Sequence, residues 1–278
     1  MNFKMSKSLQ DQALEWASFV TGESLLSWTT IDRPNRDSRI FKIYTSSKML
    51  ILMLRLDRNN QNNLQLQSRQ KKDIEREVSA LQNCIGMSPK LVNYAPEYGA
   101  LLFDPIPDNY PSLTDLLCES NKNNIDNVIQ LPLATLAKIH RQPVPIQLVD
   151  SDFMEDLYLH ITLNARQLCP QISMPVLSGE SVFLHGNPNP GNWKQISQSE
   201  GIWLDFEDSY AGIAEFDFGY FLGHLRVLFR DKAINSVLTS LKQINLTVNE
   251  DYIIQVSEVV YYYVIATESR YKRYLLVN

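Results

Sequence analysis

The stretch "VFLHGNPNPGNW", residues 182–193, sets His185, Asn187 and Asn192 in a short loop dense in Asn, Pro and Gly, and Asp205 follows soon after. Between Asn192 and Asp205, "WKQISQSEGIWL" reads as two half-apolar strands turning at Gln198-Ser199. A hairpin symmetric about that turn places position 192 opposite 205, with side chains about 5 Å apart when they share a face. An amide oxygen beside a carboxylate is a site for a hard cation. With two protein ligands, Mg2+ would complete its coordination with phosphate oxygens and water, so the chemistry open to such a pair is that of a metal-bound nucleotide.

Elements on both sides must hold that loop. Leu9, Ala13, Trp16 and Val20 recur at helical spacing and Thr21-Gly22 supplies a stop. "RIFKIYT" alternates, and "KMLILMLRL" is a continuous apolar run after the turn "TSSK", which predicts a hairpin leading into a buried strand. Residues 57–72 are polar and amide-rich and read as a loop. From Asp73 as N-cap to Gly86 as stop, "DIEREVSALQNCIG" predicts a helix with Ile74, Val78, Leu81 and Ile85 on one face and Glu77 on its flank. "GALLFDPIP" is a short strand running into prolines, so a boundary is expected near Asp104 to Pro111, dividing the chain into 1–104 and 105–278. Beyond it, "LPLATLAKIHRQP" is a helix presenting Leu133, Leu136, Ala137 and His140, residues 152–168 form another, and two or three more fill 209–275. The tyrosines of "YYYV", 261–264, point three ways on a helix, which favours core packing over an aromatic box for a cationic ligand.

A chain of 278 residues has room for one large domain or two lobes around a cleft. Its net charge of −5 provides no general field for nucleic acid or an anionic membrane, so an anionic ligand must be met locally. Cys84, Cys118 and Cys169 are widely spaced with no C-x-x-C pair, which argues against a disulfide framework or a zinc site and for free thiols in a reducing cytosol. The longest apolar runs, "MLILML" and "VVYYYVIA", are too short to span a bilayer. A soluble, cytoplasmic protein is expected.

The spacing from His185 through position 187 to Asn192, with Asp205 downstream, resembles a kinase catalytic loop and its metal-binding Asp. More specifically it resembles the aminoglycoside phosphotransferase and choline kinase superfamily, whose members carry H-G-D-x-H-P-G-N and then a strand ending D-[FW]-E. "HGNPNPGN" and "WLDFEDSYAGIAEFDFGYFL" follow that pattern in register, including Gly212 and Asp217. The resemblance extends over roughly residues 25 to 225. It implies an α+β, bilobal protein-kinase-like fold, with a β-rich N-terminal lobe, a mainly helical C-terminal lobe and Mg·ATP between them. Arg55, in "LILMLRL", would grip the α/β-phosphates; Glu77, in "REVSALQ", would be its ion-pair partner. Asn192 and Asp205 would hold Mg2+, His185 would orient the loop, and His140 would be structural. The nucleotide-covering segment would fall near "TIDRPNRDSRIF", where no glycine eases approach to phosphate and Ser38, Arg36 and Arg39 offer donors. Asp104, where the strand ends, joins the nucleotide-binding candidates.

Asn187 is the departure. The family carries Asp there to accept the proton of the substrate hydroxyl or orient it; an amide oxygen accepts a hydrogen bond but no proton. Glu207 and Asp208, just after the metal Asp, are candidates to deputise. The function so implied is transfer of the γ-phosphate of ATP to a hydroxyl of a small acceptor: an amino-alcohol, a sugar or an antibiotic-like compound. The alternative is a pseudokinase that binds nucleotide or metabolite and acts through a partner, and an engineered Asp→Asn exchange would leave the same amide.

Overall fold

Ser8 opens the first helix with a reciprocal capping box, its hydroxyl accepting from the Asp11 N–H while the Asp11 carboxylate accepts from the Ser8 N–H. This helix, α1 (Leu9–Thr21), stops at Gly22, which takes a left-handed φ of 66°. A computed structural model of the protein describes residues 8–31, 38–55, 64–119 and 125–267. The chain falls into two compact units, Met1–Ile85 with Pro89–Pro107 and Gly86–Ser88 with Asp108–Asn278.

In the first unit β1 (Leu25–Ile31), β2 (Ser38–Thr45) and β3 (Met49–Arg55) form an antiparallel meander, followed by helix α2 (Leu64–Asn83) and strands β4 (Leu91–Ala95) and β5 (Ala100–Phe103). The sheet order is β1-β2-β3-β5-β4, every pair antiparallel. Phe41 and Ile43 of β2, Leu50, Leu52 and Leu54 of β3, and Ala100 and Leu102 of β5 are buried with Ala13, Leu14 and Ala17 of α1, so α1 covers one face of the sheet. Ile74, Val78 and Leu81 of α2 are also buried.

The start of α2 differs from expectation. The helix begins at Leu64, and Asp73 is an interior residue whose carboxylate lies 3.4 Å from Arg76 Nη2. The amide-rich run is unfit for burial, yet Gln, Lys, Arg and Leu all rank high in helix propensity, and a solvated turn needs only its backbone bonds. The rest of the expected loop up to residue 63, and Arg36 with residues 32–37, lie outside the described residues.

The second unit carries α3 (Leu113–Glu119), α4 (Ile125–His140), α5 (Ser151–Ala165), β6 (Val182–Leu184), β7 (Trp193–Gln195), β8 (Gly201–Trp203), β9 (Tyr210–Gly212), α6 (Ala214–Phe229), α7 (Asp231–Gln243) and α8 (Glu250–Thr267). Its strands form two small ladders, β6 with β9 and β7 with β8. Ile161 and Ala165 of α5, Phe216 and Tyr220 of α6, and Val256, Val259, Val260 and Val264 of α8 close one core with Leu184 and Tyr210. Tyr261, Tyr262 and Tyr263 pack at its margin; Arg226 lies 5.6 Å from the Tyr261 ring and His160 meets Tyr263 edge-on. Among the described residues no helix is long and apolar enough to cross a membrane. The fold is therefore α+β, antiparallel sheet in one unit and mainly helix in the other.

Helices α6 and α8 approach at Gly219 and Gly223, where a Cβ would sit 2.6 Å from the Cβ of Val256 and of Val260 respectively. Gly→Ala in an exposed helix would gain about 1 kcal/mol from propensity. Here overpacking wins: Gly219→Ala should destabilise the protein by about 1–3 kcal/mol, read from the urea midpoint.

Candidate functional site

In the first unit, Arg55 ends β3 and meets Glu77 of α2 in a two-pronged pair. The Arg55 Nη2 lies 2.9 Å from both Glu77 oxygens and Nε donates to Oε2 at 3.2 Å. The side chains are 14% and 3% exposed, so the pair is largely buried with Glu77 the deeper partner. Ser38 is directly opposite Arg55 in the β2–β3 register, on the same face of the sheet, and is buried. Asp104 is placed apart from them. It follows β5 at the end paired with the start of β3, roughly 16 Å along the ladder from Arg55. Its carboxylate receives the Lys90 ammonium at 2.6 Å.

The second unit builds the loop on a buried carboxylate. Strand β6 pairs with β9 and releases the chain at His185. Asp217, in the first turn of α6 and with no exposed side chain, accepts the His185 N–H at 2.8 Å on Oδ2 and the Gly186 N–H at 2.9 Å on Oδ1. His140, the last residue of α4, holds Oδ2 at 2.9 Å through Nε2. The His185 imidazole donates from Nε2 to the Leu204 carbonyl at 2.9 Å, and Nδ1 accepts the Asn187 N–H at 3.3 Å. One donor and one acceptor are the complement of a neutral ring. Burial pushes its pKa below the ordinary 6.5, although the Asp217 carboxylate pulls the other way.

Gly186 has φ +86°, and a Cβ there would overlap the Asp208 carbonyl, so only glycine lets the two segments meet. At the meeting point the Asn187 Nδ2 donates to Asp208 Oδ2 at 3.1 Å, and its Oδ1 accepts from Asn189 Nδ2 at 3.0 Å. Asn189 also caps the 3-10 turn Pro190–Asn192 by accepting the Gly191 N–H. The motif's spacing does not single out Asn189, although Asn ahead of Pro-Gly is the signature of a side chain that turns its own backbone.

The register of the β7–β8 hairpin corrects the expected one by one residue. Trp193 pairs with Trp203, so Asn192 stands opposite Leu204 rather than Asp205. The connection closes around Ile196 to Glu200, an odd number of residues, through Ile196 N–H and Ser197 N–H to the Glu200 carbonyl. Asp205 follows directly on the residue that pairs with Asn192. The Leu204 N–H bonds the Asn192 carbonyl at 2.6 Å while the Leu204 carbonyl takes the His185 ring. With Leu204 pinned on both sides, Asp205 leaves at φ 64°, ψ 68°, a left-handed conformation that costs a non-glycine residue about 1–2 kcal/mol.

Asn192 commits its Nδ2 to the Asn187 carbonyl at 3.2 Å, which fixes the amide with Oδ1 on the other side. An amide oxygen from Asn192 and a carboxylate from Asp205 are donor types that a hard cation takes. Among the described residues no group of three or more His, Cys, Asp or Glu side chains could hold a metal alone.

His185 yields a pH prediction. Because its folded pKa is depressed, the neutral ring contributes stability above about pH 6.5, and that contribution is lost as pH falls below it, the unfolded ring binding a proton that the folded ring refuses. Denaturant midpoints from pH 7.5 to 5 should decline with a component of at most about 1.4 kcal/mol per pH unit that His185→Gln removes.

No protein-family model matches the sequence, and no curated protein matches it. Solved structures do. A macrolide 2'-phosphotransferase type I superposes with TM-score 0.60 at 13% identity, covering 99% of this chain and 97% of that one. A macrolide 2'-phosphotransferase from Brachybacterium faecium gives 0.58 at 12%, covering 95% of each chain. A choline kinase from Streptococcus pneumoniae gives 0.53 at 13%, covering 97% of this chain and 98% of that one. The chain has the protein-kinase-like fold of the antibiotic phosphotransferases and choline kinases.

Proposed function

We propose that the protein is a small-molecule phosphotransferase, moving the γ-phosphate of ATP to a hydroxyl of an amino-alcohol, a sugar or an antibiotic-like acceptor. The observation that supports this is the clamp at Leu204, bonded on one side to Asn192 and on the other to His185, with Asp205 next in the chain. The amide oxygen is oriented by a bond that consumes the amide's own donor, and the carboxylate follows a residue clamped on both sides. In this reading Asn192 and Asp205 hold Mg2+, which supplies charge neutralisation on the phosphates.

Arg55 binds phosphate oxygens, and Glu77 keeps the guanidinium in place at the end of β3. Ser38, opposite Arg55, adds a hydroxyl donor on the same face, and Asp104 serves the nucleoside end. Asn187 orients the acceptor hydroxyl through the Asp208 carboxylate that it holds. Nucleotide use is supported by solved structures of the same fold, one an aminoglycoside phosphotransferase with streptomycin and ATP, another with ADP and hygromycin B.

Calorimetric titration with ATP, with and without Mg2+, tests the reading. Asp205→Asn keeps a residue that tolerates the left-handed backbone and removes only the charge. The native chain should bind Mg·ATP, and the Mg2+-dependent part of its affinity should fall at least about 10-fold in Asp205→Asn, since a hard cation prefers carboxylate to amide. Arg55→Ala should weaken binding by about 10-fold or more with or without metal. Absence of nucleotide binding by the native chain would refute the proposal, and binding without turnover on any hydroxylated acceptor would favour a protein that acts through a partner.

A further inference from the structure

Asn187 does not sit in the loop as a carboxylate with one atom changed. Its amide is committed at both ends, Oδ1 to Asn189 and Nδ2 to the Asp208 carboxylate. The second bond is one a carboxylate at this position could not make. Two carboxylates 3.1 Å apart cannot both ionise, so an aspartate in place of Asn187 would share a proton with Asp208. The partner of Asn187 is thus a carboxyl oxygen of Asp208, which accepts the amide N–H.

The main chain reinforces the same contact. Gly186 lies so close to the Asp208 carbonyl that a Cβ would overlap it, and Ser209 donates its hydroxyl to the His185 carbonyl at 3.2 Å. Residues 208 and 209 are therefore strapped to residues 185 to 187 by backbone packing and two side-chain bonds. Asp208 and Asn187 are both half-buried, so each keeps surface a ligand can reach. Of the two acidic residues after Phe206, Asp208 is the one the Asn187 amide meets.

We propose that Asp208 is the catalytic carboxylate of this protein, accepting the proton of the acceptor hydroxyl, and that Asn187 is its positioning residue. The proposal rests on the phosphotransferase reading above. In the step so assigned, the hydroxyl O–H bond breaks and its proton passes to an Asp208 oxygen as the hydroxyl oxygen bonds to the γ-phosphorus. The bond from phosphorus to the departing nucleoside diphosphate breaks with its electron pair, and Asp208 later returns the proton to solvent.

Four proteins decide it: the native chain, Asp208→Asn, Asn187→Asp and the double variant that restores one amide and one carboxylate in reversed order. For each, Mg·ATP affinity, turnover over a panel of hydroxylated acceptors, and the denaturant midpoint are measured. Asp208→Asn should lower kcat about 10²- to 10⁴-fold while KM for ATP changes less than about 3-fold. Asn187→Asp should lower the denaturant midpoint at neutral pH, and the double variant should recover both midpoint and turnover to within about 10-fold of native. The midpoints read the amide–carboxylate coupling without reference to activity.

Turnover that survives Asp208→Asn, or that rises in Asn187→Asp whatever stands at 208, overturns the proposal. Four proteins that bind Mg·ATP and turn over no acceptor also overturn it, while leaving nucleotide binding intact. Four that bind no nucleotide remove the phosphotransferase reading and the proposal with it.

Discussion

Asp217 has no exposed side-chain surface, and its two oxygens are divided among the His185 N–H, the Gly186 N–H and the His140 ring. A carboxylate taken out of water is costly unless its lone pairs are met, and here three donors from two chain segments meet them. The same requirement fixes the loop. Two successive backbone N–H groups can reach one carboxylate only if the chain leaves β6 in one direction, and that direction sets where Asn187, Asn192 and Leu204 fall. Replacing the carboxylate would leave two buried N–H donors and an imidazole without partners, which makes the start of α6 the foundation of the loop.

From that foundation the loop is organised by amides rather than charges. Asn189 donates to Asn187, Asn187 donates to Asp208, and Asn192 donates to the Asn187 carbonyl. Each amide uses its donor inward and turns an oxygen elsewhere, a polarity that carboxylates at the same positions could not reproduce. The anionic terminus of this line of amides is Asp208, at the edge of the loop.

Much of this was readable from residue order alone. The loop's spacing to Asp205 and Asp217, the stop at Gly22 and the face of α4 follow from local pattern or from a motif with its own register, while the partnership of Arg55 with Glu77 came only through the family resemblance. The start of α2 was not readable by composition, because a polar run that cannot be buried can still be helical. The hairpin register failed because a symmetric turn and one with an odd number of residues between paired strands differ by a single position, and "ISQSEG" permits both. The contact from Asn187 to Asp208 was hidden for another reason: it depends on the left-handed turn at Asp205, which redirects the chain and which no neighbouring glycine announces.

The seam between α6 and α8 joins this loop to the order of synthesis. Asp217 and Gly219 lie within one turn of α6, and the surface that Gly219 and Gly223 expose is covered by Val256 and Val260 of α8. Translation delivers His185 to Asn192 well before it delivers α8. The nascent loop therefore waits, its clamp mounted on a helix whose groove is still wet, until a segment about sixty residues downstream of the loop leaves the ribosome. Ribosome-bound chains halted before and after α8 would thus differ in the protease resistance of a loop that neither halt point touches.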